Sequence, residues 1–341
     1  MTRTLMRQDI EEIPHVAESL LVHGSAAIGR VADRLNEIRP SYLTTVARGS
    51  SDHVCTYLKY ACELTLGLPV ASMGPSVASI YGADLSLGGG ACIAISQSGQ
   101  SPDVLTMIKA AKRSGAVTMA LSNDVASPLA QASDAVLDVR AGHERAVAAT
   151  KTFINSAITG LLLLARMKGD RELRDALHAL PAALARAIKI DWSELRSELQ
   201  SSRSAFTLGR GPSWAMANEA SLKLKEVCQI HAESYSSAEV LHGPVSIIEE
   251  GFPILCLAAG DAAEASLAHA VDTIAVKGAR VFATTEMPSN AHRLEHLRSP
   301  HPLTDPLLLI ATVYAFIETL SRALGLDTDA PRHLSKVTET T

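Results

Sequence analysis

The run Glu219-Ala220-Ser221-Leu222-Lys223-Leu224-Lys225-Glu226 spaces a carboxylate, an ammonium and a second carboxylate one helical turn apart. A carboxylate held this way can take and return a proton, although a bare charge run is equally an exposed salt-bridge face. The segment His231-Ala232-Glu233-Ser234-Tyr235-Ser236-Ser237-Ala238-Glu239-Val240-Leu241-His242-Gly243-Pro244 follows. His242 stands before Gly-Pro and so at a turn, where an imidazole can exchange protons near neutral pH. His231, Glu233 and His242 are also metal-ligand types, but their spacing matches no zinc pattern, and neither a metal nor an organic cofactor is expected. Lys336, near the C-terminal end, is a solvated charge unless the tail folds over a site; there it becomes a candidate for carbonyl or sugar-oxygen chemistry.

A different chemistry is written in Ser96-Gln97-Ser98-Gly99-Gln100-Ser101-Pro102, which follows the apolar run Ala91–Ile95. Pro102 suits the first turn of a helix, and helix N-termini present unpaired N–H groups that welcome anions. The loop lacks the lysine of a Walker motif and is no GxGxxG. Its neutral donors Ser96, Gln97, Ser98 and Ser101 suit a phosphate monoester; the bland alternative is a polar turn with a capping serine. Gly49-Ser50-Ser51, after an earlier apolar run, offers a second hydroxyl pair, Ser50 and Ser51.

These residues need elements to hold them. Residues 1–40 alternate apolar and charged positions at helical spacing and are expected to form an N-terminal helical arm. Short apolar runs at Leu43–Ala47, Val70–Met73, Ala91–Ser96, Val117–Ser122 and Ala135–Val139 alternate with helical segments, which implies a parallel sheet covered on both faces. The pattern recurs about 160 residues later: Ala205–Leu208, Ile254–Ala258 and Val281–Ala283 repeat the earlier runs. The expectation is an α/β chain of two tandem domains, 41–168 and 202–325. A charged helical linker, 169–201, interrupted at Pro181, joins them, and a tail, 326–341, closes over the site.

The 341 residues carry a formal net charge of -5 and no basic stripe, so no nucleic-acid partner is expected. The longest apolar stretches, Leu161–Ala165 and Leu307–Ile317, fall short of the ~20 residues a membrane helix needs, so no membrane partner is expected either. The N-terminus has no signal-peptide h-region, and five cysteines without a CxxC pair read as buried thiols in a reducing compartment. The expected location is the cytoplasm.

Taken in order, these motifs resemble the sugar-isomerase (SIS) domain family, and in particular the isomerase half of glucosamine-6-phosphate synthase. The resemblance rests on Met6–Pro14, Ser96–Gly99, Val147-Ala148-Ala149-Thr150-Lys151-Thr152-Phe153, Leu222–Glu226, His231–Pro244 and Pro331–Lys336, and covers nearly the whole chain. It implies a flavodoxin-like three-layer sandwich in each domain and a sugar phosphate held by Ser51, Ser96, Gln97, Ser98 and Ser101. It makes Glu226 the base that moves a proton between C1 and C2, and His242 a ring-opening group donated by a neighbouring subunit, hence a homodimer with shared sites. Lys336 would contact the open sugar and can form a Schiff base. Val147 and Ser335 would line the site through backbone groups, and Lys223 would support it.

The chain departs from the synthase. Ala149 and Ser101 stand where it has serine and threonine, and no glutamine-hydrolysing domain with an N-terminal cysteine precedes the motifs. The expected reaction is therefore glucosamine 6-phosphate plus water to fructose 6-phosphate plus ammonia. The alternatives are a fructosamine-phosphate deglycase of the same family and a non-catalytic sugar-phosphate-binding regulator.

Overall fold

The structure is a computed structural model that describes residues 3–336; Met1 and Thr2 of the arm and residues 337–341 of the tail lie outside the described residues. The chain divides into two compact units. The first comprises His15–Glu144, Lys151–His178 and the tail residues Ser335 and Lys336; the second comprises the described residues up to Pro14, Arg145–Thr150 and Ala179–Leu334.

The arm is two helices, α1 (Leu5–His23) and α2 (Ser25–Ile38). The first unit then runs β1 (Leu43–Val46), α3 (Gly49–Leu66), β2 (Val70–Ser72), α4 (Ser76–Ser79), β3 (Ala91–Ser96), α5 (Pro102–Arg113), β4 (Val117–Ser122), α6 (Pro128–Ala132), β5 (Ala135–Asp138) and α7 (Lys151–Lys168). Its five strands are parallel in the order β2-β1-β3-β4-β5. Strand alternation sorts the two faces. Val46, Cys92, Ala94 and Ala120 pack on Val104, Met107, Ile108 and Ala111 of α5. Leu43, Thr45, Ile93 and Leu121 turn to the opposite face, with Leu58 of α3 and Leu163 and Leu164 of α7. Helices α3 and α7 touch closely because Gly160 has no side chain; a Cβ there would lie 2.4 Å from the Leu58 methyl carbons.

The remaining chain carries α8 (Arg171–Ala187), α9 (Ser193–Gln200), β6 (Ser204–Gly209), α10 (Pro212–Cys228), β7 (His231–Ser236), two 3₁₀ turns at Glu239–His242 and Pro244–Ile247, β8 (Pro253–Cys256), α11 (Glu264–Ala275), β9 (Arg280–Ala283), β10 (His292–Arg293) and α12 (Asp305–Ala323). The second sheet is parallel in the order β7-β6-β8-β9-β10, which repeats the first strand for strand. On one face Phe206, Leu208, Ile254, Cys256, Val281 and Ala283 pack against Leu267, Val271 and Ile274 of α11. Helix α10 contacts α12, β6 and β7. Two three-layer α/β domains of flavodoxin-like order are thus present.

One expectation is corrected. Pro181 does not interrupt the linker but lies inside α8. Leu173, Leu177, Leu180 and Leu184 are buried at helical spacing, and that burial outweighs the hydrogen bond a proline removes. His231–Ser236, which shows no apolar run in the sequence, forms the edge strand β7, paired to β6 from Ser204↔His231 to Gly209↔Ser236. The apolar stretch 307–317 falls within α12, which is long and apolar enough to cross a membrane by composition but is a core helix, 83% of its window being buried.

Candidate functional site

In the order 2-1-3-4-5, strand succession reverses between β1 and β3, and α/β ligands bind beyond the carboxyl ends of the strands at such a switch point. Both hydroxyl-rich segments emerge there. Ser50 and Ser51 form the first turn of α3, and Ser96–Ser101 joins β3 to α5. The Ser96 hydroxyl oxygen accepts the Gly99 N–H at 3.1 Å, and that of Ser98 accepts the Gln100 N–H at 3.3 Å. Each Oγ is engaged as an acceptor, so its O–H is the part left to donate to an anion. Ser101, at the N-cap of α5, makes no side-chain cap bond. Gln97 is stitched to the next loop, its carbonyl accepting the Asn123 N–H at 3.3 Å. Gly99, at φ +62, lies so near Ser127 that a Cβ would fall 2.1 Å from its Oγ.

An ion pair not expected from the sequence lies beside these two segments. Buried Asp103, in the first turn of α5, accepts from Arg48 Nε at 2.8 Å and Nη2 at 2.6 Å. Arg48 precedes the Gly-Ser-Ser turn, so the guanidinium offsets a carboxylate that would otherwise oppose an anion at that helix terminus. Also in the first unit, Lys336 Nζ lies 3.4 Å from Glu144 Oε2. Ser335 is exposed and Lys336 half-buried.

The second unit carries Val147, Lys223, Glu226 and His242. Lys223 on α10 is fully buried between Glu219 Oε1 at 3.3 Å and Glu226 Oε2 at 2.6 Å. The Glu219 side chain is wholly buried and accepts from the Tyr314 hydroxyl at 3.2 Å, whereas that of Glu226 remains 22% exposed. The exposed salt-bridge face is therefore excluded. Burial presses the Lys223 pKa down, but the Glu219 and Glu226 carboxylates outweigh it and hold the ammonium above its ordinary value. Lys225, two residues on, donates to Ser221 Oγ and the Ala232 carbonyl, tying α10 to β7. His242 ends the first 3₁₀ turn and is exposed. Val147 and Ala149 are half-buried in the irregular segment 145–150, which buried Asp9 of α1 holds through the N–H groups of Arg145 and Ala146, both at 2.8 Å. The sequence shows the one-turn spacing of Glu219 to Lys223 but gives Glu219 no role of its own, and nothing local flags Tyr314.

The chain belongs to the SIS domain family, whose sequence profile matches residues 41–166 and 198–319. It is 32% identical to the glutamine–fructose-6-phosphate aminotransferase (isomerizing) of Leifsonia xyli subsp. xyli, over 98% of this chain and 58% of that protein. The chain thus spans a little over half the length of that curated relative. A protein of Silicibacter pomeroyi, provisionally described as a phosphosugar isomerase, has a crystal structure that is 58% identical, with a TM-score of 0.93 over 96% of this chain and 100% of that one. The C-terminal domain of glucosamine-fructose-6-phosphate aminotransferase from Francisella tularensis shares the fold, with a TM-score of 0.87 at 24% identity over 97% of this chain and 99% of that one.

Proposed function

We propose that the protein is a phosphosugar isomerase that acts as a deaminase, converting glucosamine 6-phosphate and water to fructose 6-phosphate and ammonia. The observation that carries this reading is the buried Glu219–Lys223–Glu226 line, which orients one partly exposed carboxylate on a rigid helix. Once the sugar ring opens, the C2 proton is acidic because it lies beside C1 carbonyl carbon. Glu226 takes that proton and returns it to C1. The product is a ketose imine, and water hydrolyses it to the ketose and ammonia. A well-placed proton shuttle contributes about 10²–10⁴-fold. Ser51, Ser96, Gln97, Ser98 and Ser101 hold the phosphate, Lys336 contacts the open sugar, and Val147 and Ser335 offer backbone groups. His242 opens the ring and serves the neighbouring subunit of a homodimer. Its exposure beside exposed Leu241 and Ile247 fits an element that packs on another copy.

All five cysteines are buried free thiols. Burial pushes the Cys92 thiol up to about 11 and Cys62 up to about 12, and raises Cys55, Cys228 and Cys256 as well. Buried free thiols fit work in the reducing cytoplasm. The test is ammonia release across a panel of amino-sugar phosphates, with chelator present. Glucosamine 6-phosphate should be the best substrate, and glutamine should not support the reverse amination. Amination with glutamine, or release only from a fructosamine phosphate, would overturn the assignment.

A further inference from the structure

Glu144 is a carboxylate that the proposed chemistry leaves unused. It stands before the segment leading into α7, and its side chain is wholly buried. A buried ionised carboxylate is costly unless it is both hydrogen-bonded and charge-balanced. Both conditions are met. Oε1 accepts the Thr152 N–H at 3.1 Å, and Oε2 accepts the Thr152 hydroxyl at 2.6 Å and Lys336 Nζ at 3.4 Å. Thr152 lies in the first turn of α7, where the helix dipole favours a negative group. Fully buried Lys151 beside it donates to the His143 carbonyl at 2.7 Å, which fixes the segment on the other side of Glu144. The helix thus sets the carboxylate, and the carboxylate faces the tail. Arg332, His333, Leu334 and Ser335 are all exposed, so Lys336 is where this stretch of chain turns inward.

We propose that Glu144 is the positioning residue for Lys336: it latches the tail onto the unit that carries the phosphate cradle and holds the ammonium ready for the opened sugar. The 3.4 Å separation is longer than the ~2.7–2.9 Å of a tight charge-assisted bond. The contact restrains the lysine while leaving it able to reach a substrate oxygen. The role for Lys336 rests on the proposed function; the latch itself does not.

Hydrogen exchange and kinetics on the full chain test the two separately. Glu144→Gln should bind fructose 6-phosphate within about twofold of wild type and lose about 100-fold in kcat with little change in KM, as expected when a reacting group is misplaced by about 1 Å. Amides of residues 332–336 should exchange roughly tenfold faster, because a bond to a charged partner is lost. Lys336→Met should accelerate the same amides equally, and the double variant should add nothing further. Unchanged exchange in both variants, or a kcat for Glu144→Gln within twofold of wild type, overturns the proposal. If the wild type turns over no amino-sugar phosphate, the functional reading fails and exchange alone decides the latch. If Glu144→Gln does not fold, exchange in Lys336→Met decides it: faster supports the latch, unchanged overturns it.

Discussion

Lys223 shows how one buried cation can orient a partly exposed carboxylate. Its ammonium balances Glu219, which has no exposure, and leaves Glu226 fixed in direction with its outer edge open. Removing one member of such a group strands the other charges, at about 3–5 kcal/mol. Lys223→Met should therefore lower the urea midpoint markedly as well as abolish turnover. The pH dependence follows from the raised pKa of Lys223. Its stabilisation is complete below the unfolded lysine value of about 10.4 and is lost as pH rises through the higher folded value. Wild type should thus weaken above about pH 10.5 more steeply than Lys223→Met, with no difference in slope between pH 6 and 9. Equal alkaline slopes would contradict the buried-triad account. Spacing made Lys223 and Glu226 legible in the sequence, because i,i+3 neighbours share a helix face. Whether that face was wet or dry was not legible, since α12 covers α10 from far along the chain.

At the scale of elements, the loop proposed to hold the phosphate stood out because β3 is apolar from Ala91 to Ile95 and then meets a run of hydroxyls. Strand β7 did not. Among the described residues it pairs with β6 alone, at the sheet edge, so Glu233, Ser234 and Ser236 stay half-exposed and the strand lacks an apolar signature. The Arg48–Asp103 and Glu144–Lys336 contacts join residues 55 and 192 positions apart, beyond the reach of any local pattern. The loop's role predicts a specific kinetic signature. Ser98→Ala removes one hydroxyl donor but leaves the backbone donors of α5, so KM for phosphorylated substrates should rise about tenfold while kcat changes little. Steady-state kinetics with glucosamine 6-phosphate check this. Equal wild-type binding of glucosamine and glucosamine 6-phosphate would remove the cradle from the account.

For the whole molecule, duplication was visible in the repeat of strand runs about 160 residues apart, and the two sheets repeat one strand order. The copies diverge at the switch point. Where the first unit has Ser96–Ser101, the second has Leu257-Ala258-Ala259-Gly260, with no hydroxyl side chains. There Arg298 fills the position, bonding the Ala258 and Thr284 carbonyls, Glu264 and Asp305. The loop proposed to hold the phosphate in the first unit therefore has no hydroxyl-rich counterpart at this position of the second. If His242 serves a neighbouring chain and Glu226 its own, mixing His242→Ala with Glu226→Gln chains should restore about a quarter of wild-type activity after random exchange of subunits. Heterodimers that form without recovering activity would refute sharing. The most direct test of the central claim follows the C2 proton itself. Wild-type protein in D₂O with glucosamine 6-phosphate should release ammonia and wash deuterium into C1 or C2, whereas Glu226→Gln should still bind fructose 6-phosphate but lose both signals by about 10²–10⁴-fold. Label exchange by Glu226→Gln at the wild-type rate would contradict the account.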